Sequence, residues 1–174
     1  MDNFKMLFES DISRYENGPD RWTRRYLYLF RKASTVNSGL IKYLFRFVYL
    51  KHSEKHGIEI GRDTIIGKGF YIGHPYGITI NGSSVLGENI NIHKGVTIGR
   101  ENRGKREGAP IIGNKVWIGV NSTIVGHIVV GNDVLIAPNT YVNCNIPDHS
   151  IVIGNPCKII NAEDATSGYI TNIV

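Results

Sequence analysis

The sequence predicts a mainly β fold, a solenoid of short strands led by a short α-helical region, and three observations carry that prediction. Between Ile112 and Ile146 a branched aliphatic returns at every sixth residue, at Ile112, Ile118, Ile124, Val130, Ile136 and Val142. A period of six is too long for a helix or an alternating strand, and it suits a repeating unit of strand, turn and strand. The beat begins earlier at Ile60, Ile66 and Ile72, steps by eight to Ile80, continues through Leu86, Ile92 and Ile98, and steps by fourteen to Ile112. Ahead of Gly57 the beat is absent, and aromatic and basic residues are frequent.

Residues 1–56 form the expected helical region. Met6, Leu7, Ile12 and Tyr15 outline a first helix that stops at Asn17-Gly18-Pro19. Asp20 is the expected N-cap of a second, with Trp22, Tyr26, Leu29 and Phe30 at helical spacing. Ser38 is the expected cap of a third, where Leu40, Ile41, Leu44, Phe45, Val48 and Tyr49 form an apolar stripe. These stripes are read as packing faces. Membrane contact through the basic, aromatic helices is an alternative, not favoured because the third helix is apolar enough to pack on its neighbours. His52 and His56 read as exposed histidines of a C-terminal turn, since no third metal ligand is near them.

The solenoid spans 57–155, and 156–174 is a tail. Where the beat fails, residues leave the coil as surface loops, and such loops often carry binding sites. The first interruption is His74-Pro75-Tyr76-Gly77 and the second is the loop from Arg100 to Pro110.

Composition bounds the compartment. The 174 residues carry a net charge of +5, which reads as a solvated basic surface, and no nucleic-acid partner is expected. Cys144 and Cys157 form no CxxC pair and lie too far apart in sequence to suggest a clip, so a reduced, cytoplasmic setting is expected. The N-terminus has no signal-peptide pattern, and no apolar run approaches the roughly 20 residues of a membrane span.

The runs GIEIGRDTIIGKGFYIGHPYGITING and INIHKGVTIG, the length of the long loop, the closing IGNPCKII and the order of helices then coil are similar to one family. They resemble the hexapeptide-repeat acyltransferases, whose fold is a left-handed parallel β-helix, and within them serine O-acetyltransferase and its polysaccharide-pathway relatives. SDISRY near the N-terminus resembles the start of that family's helical region. The resemblance spans 57–160 and implies acetyl transfer from acetyl-CoA, as co-substrate, to a hydroxyl, at a site between subunits of a homotrimer, with no metal. By its motif His74 is the general base, and Glu59, fifteen residues earlier, is the carboxylate that orients it. An imidazole suits the task because its ordinary pKa near 6.5 lets it take and return a proton at neutral pH. Gly99, Val120, Pro138, Asn143 and Cys144 match positions along CoA, and Lys158 matches a residue that meets CoA phosphates.

The chain departs from the serine enzymes at two places. Gly73 stands where they carry Asp, and Gly108-Ala109 stand where they carry Arg-His. A serine carboxylate calls for a bidentate cation, which only Arg103, Lys105 or Arg106 of the same loop offers instead. The expected acceptor is therefore a sugar or polysaccharide precursor, with serine O-acetylation in cysteine biosynthesis as the alternative. His93 is a possible second acid/base or acceptor-binding group, or a surface histidine beside Lys94. Trp117 is read either as a stacking partner for adenine or as a residue packed on a neighbouring subunit. Two other readings are ranked below these: a non-catalytic trimeric scaffold, and a zinc enzyme like the β-helical carbonic anhydrases, for which His127 lacks a near histidine neighbour.

Overall fold

The computed structural model describes residues 3–36 and 39–174. The expected cap at Ser38 lies outside the described residues. Three helices, α1 (Asn3–Ser13), α2 (Arg21–Thr35) and α3 (Gly39–Glu54), precede a three-sided parallel β-helix. Its first face stacks Glu59–Ile60, Thr79–Ile80, Thr97–Gly99, Thr123–Val125 and Tyr141–Val142. The second stacks Ile65–Ile66, Val85–Leu86, Ile111–Ile112 and Val129–Val130. The third stacks Tyr71–Gly73, Asn91–His93, Val116–Ile118, Val134–Ile136 and Ser150–Ile153, and Lys158–Asn161 turns back to pair antiparallel at its end.

Register explains the beat. Every hexad aliphatic from Ile60 to Val142 points inward, and all thirteen are at most 6% exposed. Their small or β-branched partners are buried as well, Ser122, Ile128 and Thr140 just before strands and Val116 and Val134 as the first residues of third-face strands. Several corners need a left-handed backbone. Asn121 and Asn139 adopt it with φ of 58° each, and asparagine tolerates that region better than most residues.

Two buried arginines seat the helices on the coil. Arg31 of α2 donates to both carboxylate oxygens of Asp11, at 2.7 and 2.9 Å, and to the carbonyls of Ile66 and Gly67. Asp11 also accepts from the Phe70 N–H at 2.8 Å, so both charges are saturated where water is excluded. Arg14, just past α1, donates to the Gly69 carbonyl, the Asn91 side chain and the Thr171 carbonyl, which ties helix, coil and tail together.

Some expectations change in detail. Asp20 does cap α2, accepting from Trp22 N–H at 2.8 Å and Thr23 N–H at 3.1 Å. Tyr15 lies beyond α1, not in it. The tail packs along the third face: Ala165 and Thr166 donate to Asp133, and Tyr169 meets Trp117 edge-on with centroids 5.0 Å apart. Trp117 is thus covered by the chain's own tail. Burial opposes the charge on Asp133, but hydrogen bonds from Thr166, His149 and Lys115 outweigh it and hold the carboxyl well below the usual range. The two cysteines, distant in sequence, bring their sulfurs to 3.8 Å.

Candidate active site

The eight-residue step projects His74 from the corner between the third and first faces. Its φ of 58° turns the chain sharply, and its carbonyl accepts from the Tyr76 N–H at 2.8 Å. The imidazole is exposed. The helical region grips this turn from outside. His56 Nδ1 donates to the Pro75 carbonyl at 2.8 Å, and its ring lies between Trp22 and Tyr76, with centroid separations of 3.6 and 4.2 Å. The Gly77 N–H donates to the His56 carbonyl at 2.8 Å. On the strand leading in, the Tyr15 hydroxyl accepts from the Ile72 N–H at 2.9 Å and donates to the Ile72 carbonyl at 3.2 Å. Burial pushes the Tyr15 phenol well above its ordinary pKa, so it stays protonated and can make both bonds.

Tyr15 and His56 were missed in the sequence as supports of the site. His56 was read as an exposed histidine, whereas it is half-buried in an aromatic stack; His52 joins the same stack on Trp22 at 4.6 Å. Periodicity could not reveal either contact, because neither residue belongs to the repeat.

His93 sits one rung from the turn, paired in register with Gly73. Its Nδ1 donates to the Ile118 carbonyl at 3.0 Å, which leaves Nε2 as an acceptor. Burial lowers its pKa against the pull of that hydrogen bond, and nearby His74 lowers it further, so the ring is neutral at pH 7. A side chain at Gly73 would place its Cβ 2.8 Å from His93 Nε2 and Cδ2. The imidazole edge therefore occupies the space that an aspartate at this position would need. A cavity of about 370 Å³ opens beside it, lined among others by Tyr15, Glu16, Tyr71, His93, Trp117 and Tyr169.

The other sequence-predicted residues divide between two edges of the first face. Val120 and Pro138 share the edge that carries His74, where corner backbones link in a column: Gly95 N–H to Tyr76, Asn121 N–H to Lys94 and Asn139 N–H to Val120. Gly99, Asn143 and Cys144 occupy the opposite edge, where the long loop leaves, and Lys158 lies exposed beside Cys157. Within the chain the two groups do not meet. Glu59 opens the first face beside Thr79 and makes neither a hydrogen bond nor an ion pair with His74.

The long loop folds on itself, with Glu101 and Gly108 exchanging backbone hydrogen bonds at 3.0 Å each. Arg106 pairs with Glu101 at 3.0 Å and Arg100 with Glu107 at 3.7 Å, while Arg103 and Lys105 are exposed and have no ion pair among the described residues. Gly108 presses on His127, whose Cβ would lie 2.9 Å from an added Cβ. Among the described residues no group of three or more His, Cys, Asp and Glu could hold a metal ion. No helix among them is long and apolar enough to cross a membrane.

Comparison with known proteins gives this arrangement a context. Residues 109–144 match the family model for the bacterial transferase hexapeptide, six repeats. Serine acetyltransferase of Staphylococcus epidermidis is 30% identical over 177 aligned residues, covering 96% of this chain and 80% of that protein. The serine acetyltransferase of Neisseria gonorrhoeae, solved in complex with serine, superposes with a TM-score of 0.73 at 28% identity, over 90% of this chain and 69% of that one. The soybean serine acetyltransferase apoenzyme shares the fold, with a TM-score of 0.77 at 23% identity over 90% and 69% of the two chains.

Proposed function

Since the chain belongs to the serine acetyltransferase family of hexapeptide-repeat acyltransferases, we propose that it transfers the acetyl group of acetyl-CoA to a hydroxyl with His74 as general base. The observation that carries this reading is the turn at His74: an exposed imidazole on a backbone held by His56 from one side and, through the strand before it, by Tyr15 from the other. The acceptor O–H gives its proton to the imidazole as its oxygen attacks the thioester carbonyl carbon. The tetrahedral adduct collapses, the C–S bond breaks, and the imidazolium returns the proton to the departing thiolate. An O-acetyl ester and free CoA thiol result.

Glu59 orients His74 in this reading only after a rearrangement on substrate binding, since neither a hydrogen bond nor an ion pair joins the two exposed side chains in the free chain. CoA runs along the edge of Val120 and Pro138 on one subunit, facing Gly99, Asn143, Cys144 and Lys158 of its neighbour. A homotrimer supplies that juxtaposition. It is supported by the second face, where Ile65, Val85, Ile111 and Val129 point outward in register as a flat apolar strip. One chain leaves that strip uncovered, and closed symmetry is the usual way to bury it.

Serine is the acceptor that the relatives favour, over the sugar suggested by loop composition. The cavity beside His93 holds the acceptor: Nε2 accepts from its polar hydrogens, Glu16 faces an ammonium, and Arg103 or Lys105 of a neighbouring loop faces a carboxylate. A sugar remains the second reading, because Gly108 and Ala109 carry no cation and four aromatic rings line the cavity. Thiol release from acetyl-CoA separates the two. L-serine is expected to turn over with a kcat/KM at least about tenfold above any glycoside in a panel, a difference worth about 1.4 kcal/mol. Turnover of a glycoside with L-serine inert would move the assignment to the sugar.

A further inference from the structure

We propose that α3 docks this protein on the surface of a bilayer carrying anionic phospholipids. The helix buries one side only: Tyr49 and Ser53 are buried, and Phe45 and Val48 pack beside them. Its opposite side presents Leu40, Tyr43, Leu44 and Phe47, which are 88, 68, 62 and 61% exposed. Residues at i, i+3, i+4 and i+7 form a continuous stripe along a helix. Single exposed apolar side chains are ordinary, but a stripe two turns long marks a contact surface. Packing on neighbouring helices does not account for it, because that packing uses the other side.

Charge selects the occupant. Between residues 20 and 56 the chain has nine lysines and arginines against two carboxylates, +7 in a protein whose total is +5. Among the described residues, Arg31 is the one of these nine that pairs with a carboxylate from elsewhere in the chain. Beside α3 a cavity of about 290 Å³ is lined by Lys42, Arg46 and Arg62 with Leu50 at its wall. Asp63 also lines it and pairs with Arg62 at 4.0 Å; among the described residues no carboxylate pairs with Lys42 or Arg46. A lipid phosphate fits this recess while the acyl chains lie against the outer stripe, the arrangement of an interfacial amphipathic helix. A second copy of the chain is a poorer occupant, since two such faces would set like charge against like charge. An anionic headgroup layer supplies the opposite sign and attracts clustered cations.

Vesicle flotation tests the proposal with the whole chain. On phosphatidylcholine containing phosphatidylglycerol at about one part in three, the partition coefficient is expected to exceed that on pure phosphatidylcholine at least about tenfold and to fall as salt rises. Leu44→Glu combined with Phe47→Glu is expected to abolish flotation while thiol release and thermal unfolding stay at the wild-type level, because both side chains point away from the core. Failure of the wild type to float with anionic vesicles, or equal flotation of the double variant, would overturn it. So would light scattering without lipid in which the double variant halves the mass of the wild-type assembly, because the stripe would then be a contact between copies.

Discussion

Replacing His74 with asparagine is expected to lower kcat/KM for acetyl transfer roughly a hundred- to ten-thousand-fold, the usual contribution of a positioned general base. Asparagine is the informative substitution because the residue sits at φ 58°, where asparagine is tolerated and the turn keeps its shape. The side chain is exposed and its imidazole makes no hydrogen bond among the described residues, so stability and assembly are expected to match wild type in a thermal melt and by light scattering. Only the proton acceptor is lost. Retention of full activity would remove His74 from the mechanism. A loss of activity together with a loss of assembly would assign the residue a structural part instead.

The largest expected effect on stability lies at Arg31. Arg31→Met leaves the Asp11 carboxyl buried without its cation and strips donors from the Ile66 and Gly67 carbonyls. Breaking a buried ion pair from one side costs about 3–5 kcal/mol, and a shift of that size is easily read from urea unfolding midpoints at unchanged slope. Pairing it with Asp11→Leu removes the orphaned carboxylate and is expected to restore part of the loss, since an apolar pair of similar volume replaces two buried charges. A change below about 1 kcal/mol in Arg31→Met would mean that the helices are seated by apolar packing alone. The same variant reports on the site, because α2 carries Trp22, against which His56 stacks to hold the turn at Pro75.

The coil was legible because each hexad aliphatic answers to one local rule, the direction of its side chain in a three-sided winding. Ile60, Ile112 and Val142 could be placed without knowing what else the chain did, and both loops showed as failures of the count. Contacts that cross that period were not legible. Tyr15 follows the helix that was expected to contain it and instead clamps Ile72. His56 looked like a terminal-turn histidine, yet it closes an aromatic stack over the bulge. Cys144 and Cys157 are separated by the strand Ser150–Ile153 and the turn after it, which bring together two thiols that spacing kept apart. For Trp117, expected to meet a cofactor or a neighbour, the tail residue Tyr169 is an edge-on partner within the chain that spacing did not show. On α3 the stripe from Leu40 to Tyr49 reads as one packing face, whereas Leu40 and Leu44 of that stripe are bare. Composition named the apolar residues of α3, but only the packing of α2 says which side remains free.

Gly73 illustrates how a departure from a family pattern acquires physical content. The sequence alone marks it as a missing aspartate. In the folded chain the edge of the His93 imidazole fills that space, so a neutral ring nitrogen stands where the serine enzymes' pattern has a carboxylate.

The most direct test of the account is a crystal structure of the protein with CoA bound. The expected result is a CoA thiol within about 3.5 Å of the His74 imidazole, with the pantetheine arm along the edge of Val120 and Pro138 and a neighbouring subunit's long loop closing the other side. A CoA seated away from this corner, or a thiol out of reach of His74 in an assembled trimer, would contradict it.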